Sequence, residues 1–455
     1  MQFAELIAFL RIILIIVTNL KNQKTDHMNF IDELRWRGMI QDMTPGLEEY
    51  LESNKVKGYI GFDPTAPSLT IGNYVQIMKL NLFQRAGHTP VVLMGGATGR
   101  IGDPSFKETE RELKSDEEIH RNLEHQKKQF RNLLNFEEGE NRALMFNNYD
   151  FYKDMNVLDF LRDVGKTLTV NYMMSKDSVK SRLETGLSFT EFSYQLIQGY
   201  DFQLLLEEHN VELQMGGSDQ WGNITSGTEF IRRNTNRKAF ALTSPLLVKA
   251  DGTKFGKSES GNIWLDPEMT SPYQFYQFWI NADDRDIEKF IKTFSLKSVQ
   301  ELDEWLKEED DPRNLKRDLA EELTRRIHGD SEFDAVLKVS ELLFNNRAGE
   351  DFVHSLSKAD LQSIVREIPT IEVNPSQVKD PVSLLALTVG ENRIFSSNGE
   401  ARRAIKNNAV SVNKVKITDF EHTISPDQWL HGQYLLVENG RKNKFALAIE
   451  NHDEI

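Results

Sequence analysis

Residues 58–96 read GYIGFDPTAPSLTIGNYVQIMKLNLFQRAGHTPVVLMGG, and the pattern of this stretch decides the fold class. Gly58–Phe62 is a short apolar run stopped by the turn signal Asp63-Pro64-Thr65. Ser68 stands where a helix cap is expected. Leu69, Ile71, Val75, Met78, Leu82 and Phe83 follow at near-helical spacing, and Gly87 fits just past the end. Thr89–Met94 is a second unbroken apolar run, closed by Gly95-Gly96. Strand, helix and strand with short connections form a βαβ unit, which predicts an α/β protein built on a parallel sheet. Leu213–Met215, before Gly216-Gly217, reads as a further buried strand of that sheet. Ligands of such sheets sit beyond the carboxyl ends of the strands, so these glycine-rich ends mark one crevice.

Outward from this core, the 455 residues suffice for two to four domains. The stretch 105–205 reads as mostly helical, charged and inserted into the sheet, and about 270–345 is again helical. The acidic run Glu308–Asp311 there reads as a solvated face. A linker is expected near Val373–Pro381, ahead of a small last unit. The absence of cysteine excludes disulfides, thiolate metal sites and a cysteine nucleophile, and it fits a cytoplasmic protein. A net charge of −15 argues against coating nucleic acid without specificity, though not against a local basic face. Ala8–Val17 is apolar apart from Arg11, and its uncharged part is far short of the ~20 residues a spanning helix needs. Residues 1–27 are therefore read as an extension outside the fold, with Met28 as the functional start. A peripheral amphipathic anchor and a signal segment are the alternatives. No membrane partner is expected.

Three segments carry chemistry. Phe189–Leu206 is a helix apolar around most of its circumference through Phe189, Phe192, Leu196, Ile197, Tyr200, Phe202, Leu204 and Leu205, which predicts burial. Tyr194, Gln198 and Asp201 nevertheless share one face at i, i+4 and i+7. Buried polar groups without partners are costly, so this face is either a satisfied internal network or the wall of a pocket for a polar ligand. Gly216-Gly217-Ser218-Asp219-Gln220 follows a strand, where paired glycines admit a ligand to the backbone and Asp219 suits ribose hydroxyls. Lys249–Ser258 (KADGTKFGKS) places lysines and a hydroxyl in a glycine-bearing loop. It is either a solvated surface loop or a grip on pyrophosphate as charge develops. No Walker loop and no His-Glu metal helix is present.

With these residues in hand, the chain resembles the bacterial-type tyrosyl-tRNA synthetases, class I aminoacyl-tRNA synthetases, from about Met28 to the C-terminus. The segments that carry the likeness are YIGFDPTA (59–66), GGATGRIGDPS (95–105), SFTEFSY (188–194), GGSDQWGN (216–223) and KFGKS (254–258), in that order. The resemblance implies activation of L-tyrosine with ATP to tyrosyl-AMP, then transfer of the tyrosyl group to the 3′ end of tRNA(Tyr). It implies a Rossmann-like catalytic domain with a helical insertion (28–265), an α-helical domain (266–375) and a small α+β RNA-binding domain (382–455). Tyr59 and Asp201 would hold the substrate phenol, Tyr194, Gln198 and Asp103 its ammonium, and Gln220 would lie near its carboxylate. Gly217 and Asp219 would contact the ribose, with Gly61, Asp63 and Gly72 also on the ATP side. Lys254, Lys257 and Ser258 would stabilise the leaving pyrophosphate, with Lys107 and Arg111 as further phosphate contacts. Mg²⁺ would come with ATP, held by phosphates and water, with no protein-held metal. Groups that hydrogen-bond the phenol are left unpaired by phenylalanine, and this enzyme family is itself the reference case for such rejection, at about 10⁵-fold.

The chain departs from the family where His-Ile-Gly-His is usual: it has Thr70-Ile71-Gly72-Asn73. Asn73 can donate much as a neutral imidazole does. Thr70 is shorter, and Thr65 is expected to share its task at the γ-phosphate. Losing one donor to a transition-state charge costs ~10²–10³ in rate, so weakened activation is expected. A catalytically idle RNA-binding paralogue is the alternative. A tryptophanyl enzyme is the other rival, and Tyr59 and Asp201 argue against it because indole has no hydroxyl. From Leu384 onward nine basic and nine acidic residues balance, so the negative charge lies upstream. Arg402, Arg403 and Lys406 fall on one helical turn of a segment resembling a small ribosomal RNA-binding fold, and would track tRNA phosphates. The resemblance also implies a homodimer.

Overall fold

The computed structural model describes residues 28–105, 113–176, 179–180, 182, 186–258, 261–345, 348–441 and 443–450. The segment 1–27, Lys107 and Arg111 lie outside the described residues. The chain forms two compact units. Of the described residues, one holds those up to Ser271 together with Phe278–Leu323, and the other holds Pro272–Gln277 and those from Thr324 on. The helices within 266–375 are thus shared between the units.

The first unit is built on a six-stranded sheet with spatial order β1-β6-β5-β2-β3-β4. Its strands are β1 (Asp42–Met43), β2 (Lys57–Phe62), β3 (Thr89–Met94), β4 (Leu144–Asn147), β5 (Val211–Gly217) and β6 (Phe240–Ser244). All neighbours are parallel except β1, which runs antiparallel to β6. β3 is buried at five of its six positions and β6 throughout, as a sheet covered on both faces requires. Chain order reverses beside β2: β3 lies on one flank and β5 on the other, so the crevice opens between β2 and β5. The insertion is not wholly helical, because Leu144–Asn147 pairs with β3 and extends the sheet.

Helix α1 (Ile71–Arg85) begins later than Ser68. Thr70 is its N-cap, with Asn73 completing a reciprocal capping box. Ser68 is buried instead, donating to the Leu69 carbonyl and accepting from Gln129 and the Asp266 amide. The helix ends at Gly87, whose φ of +87° favours glycine. Helices α2 (Asp116–Leu133), α3 (Tyr149–Tyr152), α4 (Phe189–His209) and α5 (Trp221–Asn234) complete the packing relevant to the crevice. Helix α4 is capped by Ser188 and closed by Asn210 in the left-handed region. Its middle, from Glu191 to Leu206, carries the buried positions, while Phe189 at its start is 74% exposed and Glu207 and Glu208 in its last turn are exposed. Phe189 is the first helical residue and precedes the turn that meets the core. Burial begins at Glu191, which is neutralised by a bidentate ion pair with buried Arg182 at 2.9 Å.

In the second unit a five-stranded sheet joins β9 (Thr370–Val373), β10 (Val410–Val412), β11 (Val415–Lys416), β12 (Tyr434–Asn439) and β13 (Asn443–Ile449) in the order β11-β10-β12-β13-β9. Val373 and Val378 are both buried in its core, so the expected linker Val373–Pro381 is part of the packing rather than a spacer. Helix α7 follows the later α6 (Ile287–Phe294, in the first unit) and spans Asn398–Lys406. It buries Ala401 and Ile405 and leaves Arg402, Arg403 and Lys406 exposed.

Candidate active site

One cavity of about 570 Å³ opens at the carboxyl ends of β2 and β5. At its deep end Tyr59 of β2 and Asp201 of α4 are each 1% exposed. Burial drives the Asp201 carboxyl up from 3.8 to about 7, against the pull of hydrogen bonds from Tyr152 and Asn148, and nearby Asp63 adds to the rise. Tyr59 is likewise raised well above its ordinary value by burial and then by Asp201. The Tyr59 hydroxyl has no hydrogen-bond partner among the described residues. A buried hydroxyl of that kind, beside a buried carboxylate, is a ready pair of partners for a hydroxyl brought in by a ligand.

Tyr194 and Gln198 line the middle of the cavity with Asp103 and Gln220. Asp103 accepts from Gln220 Nε2 at 2.7 Å and from the Ser105 amide at 2.9 Å. Asp63 is bound on both oxygens, by the Thr98 hydroxyl at 2.6 Å and the Tyr194 hydroxyl at 3.0 Å. Gly95 leaves the room for this: a Cβ there would fall 2.2 Å from Asp63 Oδ1. The middle of the cavity is therefore acidic and braced, suited to a cationic group.

The shallow end is made by the start of α1, the loop after β5 and the lysine flap. Gly61, Thr65, Thr70, Gly72, Asn73, Gly217 and Asp219 line it. Asp219 is raised by burial and by the charge of Asp103, with Lys254 opposing. The Thr70 hydroxyl donates to Asn73 Oδ1 at 2.8 Å, so the two residues that stand in place of histidines are engaged with each other. Residues 263–265 hold the helix start, with the Ile71 amide on the Ile263 carbonyl at 3.0 Å and the Leu265 amide on the Leu69 carbonyl at 2.9 Å.

Lys254 and Lys257 are exposed and line the cavity, and Ser258 follows on the short strand β7 (Lys257–Ser258), which pairs with β8 (Gly261–Asn262). Phe255 between the lysines is buried against Phe278, Trp279, Phe290 and Phe294, with ring centroids 5.1–6.0 Å away. The flap root is tied by the Ala250 amide to buried Asp286 at 2.8 Å.

Residue pattern alone did not single out Asn148, Tyr152, Thr98 or Lys79. Asn148 and Tyr152 bind Asp201 from the insertion, and Asn-Asn-Tyr-Asp-Phe-Tyr (147–152) gives no periodic signal that would single them out. Lys79 sits in the apolar stripe of α1, fully buried, with its ammonium on the Gly216 carbonyl. Burial pulls its pKa down from 10.5 to about 7, with Asp219 opposing. Between those values the unfolded chain holds a proton that the folded chain releases, so this group makes stability rise with pH from about 7 to 10.5. Lys79→Met is expected to stabilise the protein at pH 7 by up to about 4 kcal/mol, with the gain fading as pH rises from about 7 and gone above about 10.5. Thermal unfolding across pH would measure it, and an equal gain at all pH values would contradict a buried-charge penalty.

Residues 51–345 match the family model of tRNA synthetases class I (W and Y), and 360–447 match the tyrosine–tRNA ligase SYY-like C-terminal domain. A parallel sheet whose strand ends gather a glycine-rich loop, a lysine-bearing loop and the buried Tyr59–Asp201 pair fits that class. The chain is 52% identical over 424 residues to a tyrosine–tRNA ligase of Cytophaga hutchinsonii, covering 92% of this chain and 99% of that one. It is 49% identical over 431 residues to one of Porphyromonas gingivalis, covering 93% and 100%. A C-terminally truncated mitochondrial tyrosyl-tRNA synthetase of Aspergillus nidulans shares the fold with a TM-score of 0.63 and 30% identity, over 71% of this chain and 96% of that one. The chain therefore belongs to the class I tRNA synthetase family, within its bacterial-type tyrosyl branch. These relatives give the idle-paralogue alternative no support.

Proposed function

We propose that the cavity activates L-tyrosine with ATP and that the chain transfers the tyrosyl group to tRNA(Tyr). The observation that carries this reading is the sharing of one cavity by the Tyr59–Asp201 wall and the Lys254–Lys257 flap. Tyr59 and Asp201 take the phenol hydroxyl. Tyr194, Gln198 and Asp103 take the ammonium, and Gln220 orients the carboxylate. Gly217 and Asp219 hold the ribose, and Gly61, Asp63 and Gly72 border the nucleotide. A carboxylate oxygen of tyrosine attacks the α-phosphorus and the bond to pyrophosphate breaks. No protein nucleophile is needed, so the enzyme contributes position and charge. Lys254, Lys257 and Ser258 stabilise the departing pyrophosphate. Asn73, whose Oδ1 is held by Thr70, offers its amide donors, and Thr65 supplies the hydroxyl that Thr70 has committed to the cap. Lys107 and Arg111 are further candidates on the loop after Asp103.

ATP enters as substrate. We assign Mg²⁺ to the ATP phosphates and water, the mode usual for this ion with a nucleotide substrate. No helix among the described residues is long and apolar enough to cross a membrane, and we assign the protein to the cytoplasm. Exposed Val157, Leu158, Leu161, Val170, Met174 and Phe189 in the insertion support a homodimer.

The test is tyrosine-dependent ATP–pyrophosphate exchange by the purified protein, followed by charging of tRNA(Tyr). Absence of exchange would sink the reading. Arg402, Arg403 and Lys406 are assigned to tRNA phosphates. Replacing all three with alanine is expected to lower tRNA charging at least about tenfold at 0.15 M salt while exchange stays within about twofold. Equal loss of both activities would overturn that assignment.

A further inference from the structure

Asp201 needs more than its own presence to read a phenol. A carboxylate offers about four lone-pair sites on two oxygens, and which of them face the cavity depends on how the group is turned. Here both oxygens are already engaged by protein donors. Asn148 Nδ2 donates to Oδ2 at 2.9 Å, and the Tyr152 hydroxyl lies 2.6 Å from Oδ1 and 2.9 Å from the Ile197 carbonyl. Asn148 itself lines the cavity, whereas Tyr152 does not. The ring of Tyr152 is held against Phe160 and Tyr200, with centroids at 6.4 and 6.1 Å. Its hydroxyl therefore reaches Asp201 from a fixed position outside the ligand space.

Resting on the function proposed above, we propose that Tyr152 is a positioning residue that sets the selectivity for tyrosine over phenylalanine by fixing the orientation of Asp201. Its phenol donates to Oδ1 and occupies part of that oxygen's capacity, so the remaining lone pairs are left for the incoming substrate hydroxyl. Phenylalanine brings no hydroxyl and is indifferent to how Asp201 is turned. Loss of the Tyr152 hydroxyl must then weaken one substrate and not the other. A purely structural role in packing the insertion would weaken both alike.

The test uses the full-length protein and pyrophosphate exchange with each amino acid. Tyr152→Phe deletes one oxygen and keeps the ring. It is expected to raise the KM for tyrosine and lower kcat/KM for tyrosine about tenfold, the scale of a lost hydrogen bond to a charged group. The KM for ATP and the kcat/KM for phenylalanine stay within about twofold. In an Asp201→Ala background the same change should leave the tyrosine-to-phenylalanine ratio unaltered, as expected when one residue acts through the other. Equal losses for both amino acids, or an undiminished ratio, would overturn the role of Tyr152. Should Tyr152→Phe not fold, Tyr152→Met also deletes the donor and is read in the same way. A wild type that exchanges with neither amino acid would refute the function and this role together. A selective wild type with an unchanged ratio in the variant would refute the role alone.

Discussion

Lys257→Ala is expected to slow tyrosyl-adenylate formation by about 10²–10³-fold while leaving the affinity for tyrosine within about threefold. Lys257 lies at the shallow end of the cavity, on the exposed side of the flap, while the Tyr59–Asp201 wall lies at the buried end. On the function proposed above, a cation so placed would meet charge that appears on pyrophosphate only as the α-phosphorus bond breaks. Its loss should therefore fall on the transition state and spare the ground state. Single-turnover rates and equilibrium tyrosine binding separate the two. A weakened tyrosine affinity with an unchanged rate would mean that the flap grips substrate rather than leaving group.

Asp201 gives the second large effect, and it has two faces. Asp201→Ala is expected to cut the preference for tyrosine over phenylalanine by at least about 100-fold, because the substrate hydroxyl loses its acceptor while Tyr152 and Asn148 are left pointing at a void. The same carboxyl is costly to the empty protein. Its folded pKa of about 7 exceeds the ordinary 3.8, so its unfavourable contribution grows as pH rises from about 4 and is complete above about 7. Asp201→Asn keeps polar partners for Tyr152 and Asn148 and removes the charge. It should raise the unfolding free energy at pH 8 by up to about 4 kcal/mol, with little gain near pH 4. Thermal melts of both proteins at these two pH values are the measurement. A destabilised variant at pH 8 would show that the carboxylate is fully compensated by its neighbours.

The parts of this structure that sequence reveals are those with short-range causes. Thr89–Met94 forms a strand over those very residues, and Gly87 ends α1, because apolar runs and positive-φ positions are local properties. Tyr194, Gln198 and Asp201 were legible as one polar face because helical spacing alone aligns them. Ser68 misled as a cap because Thr70 competes for the same role two residues on, and the winner is the one whose partner, Asn73, can bond back. Leu144–Asn147 was hidden because four residues at a sheet edge carry too little pattern. Tyr152 reaches Asp201 across 49 positions of sequence, and no periodicity connects residues so far apart. The strand Thr370–Val373 was missed for a similar reason: it pairs with Asn443–Ile449 near the far end of the chain.

Phe255 has a consequence for temperature. Its phenyl ring, seated among four aromatic neighbours, works as a latch between two cations. Lifting both lysines away together means wetting that ring, at about 2 kcal/mol, so the resting flap is biased towards engagement by about thirtyfold. The bias is hydrophobic in origin and weakens on cooling. The latch is therefore loosest in the cold, where chemistry itself is slowest.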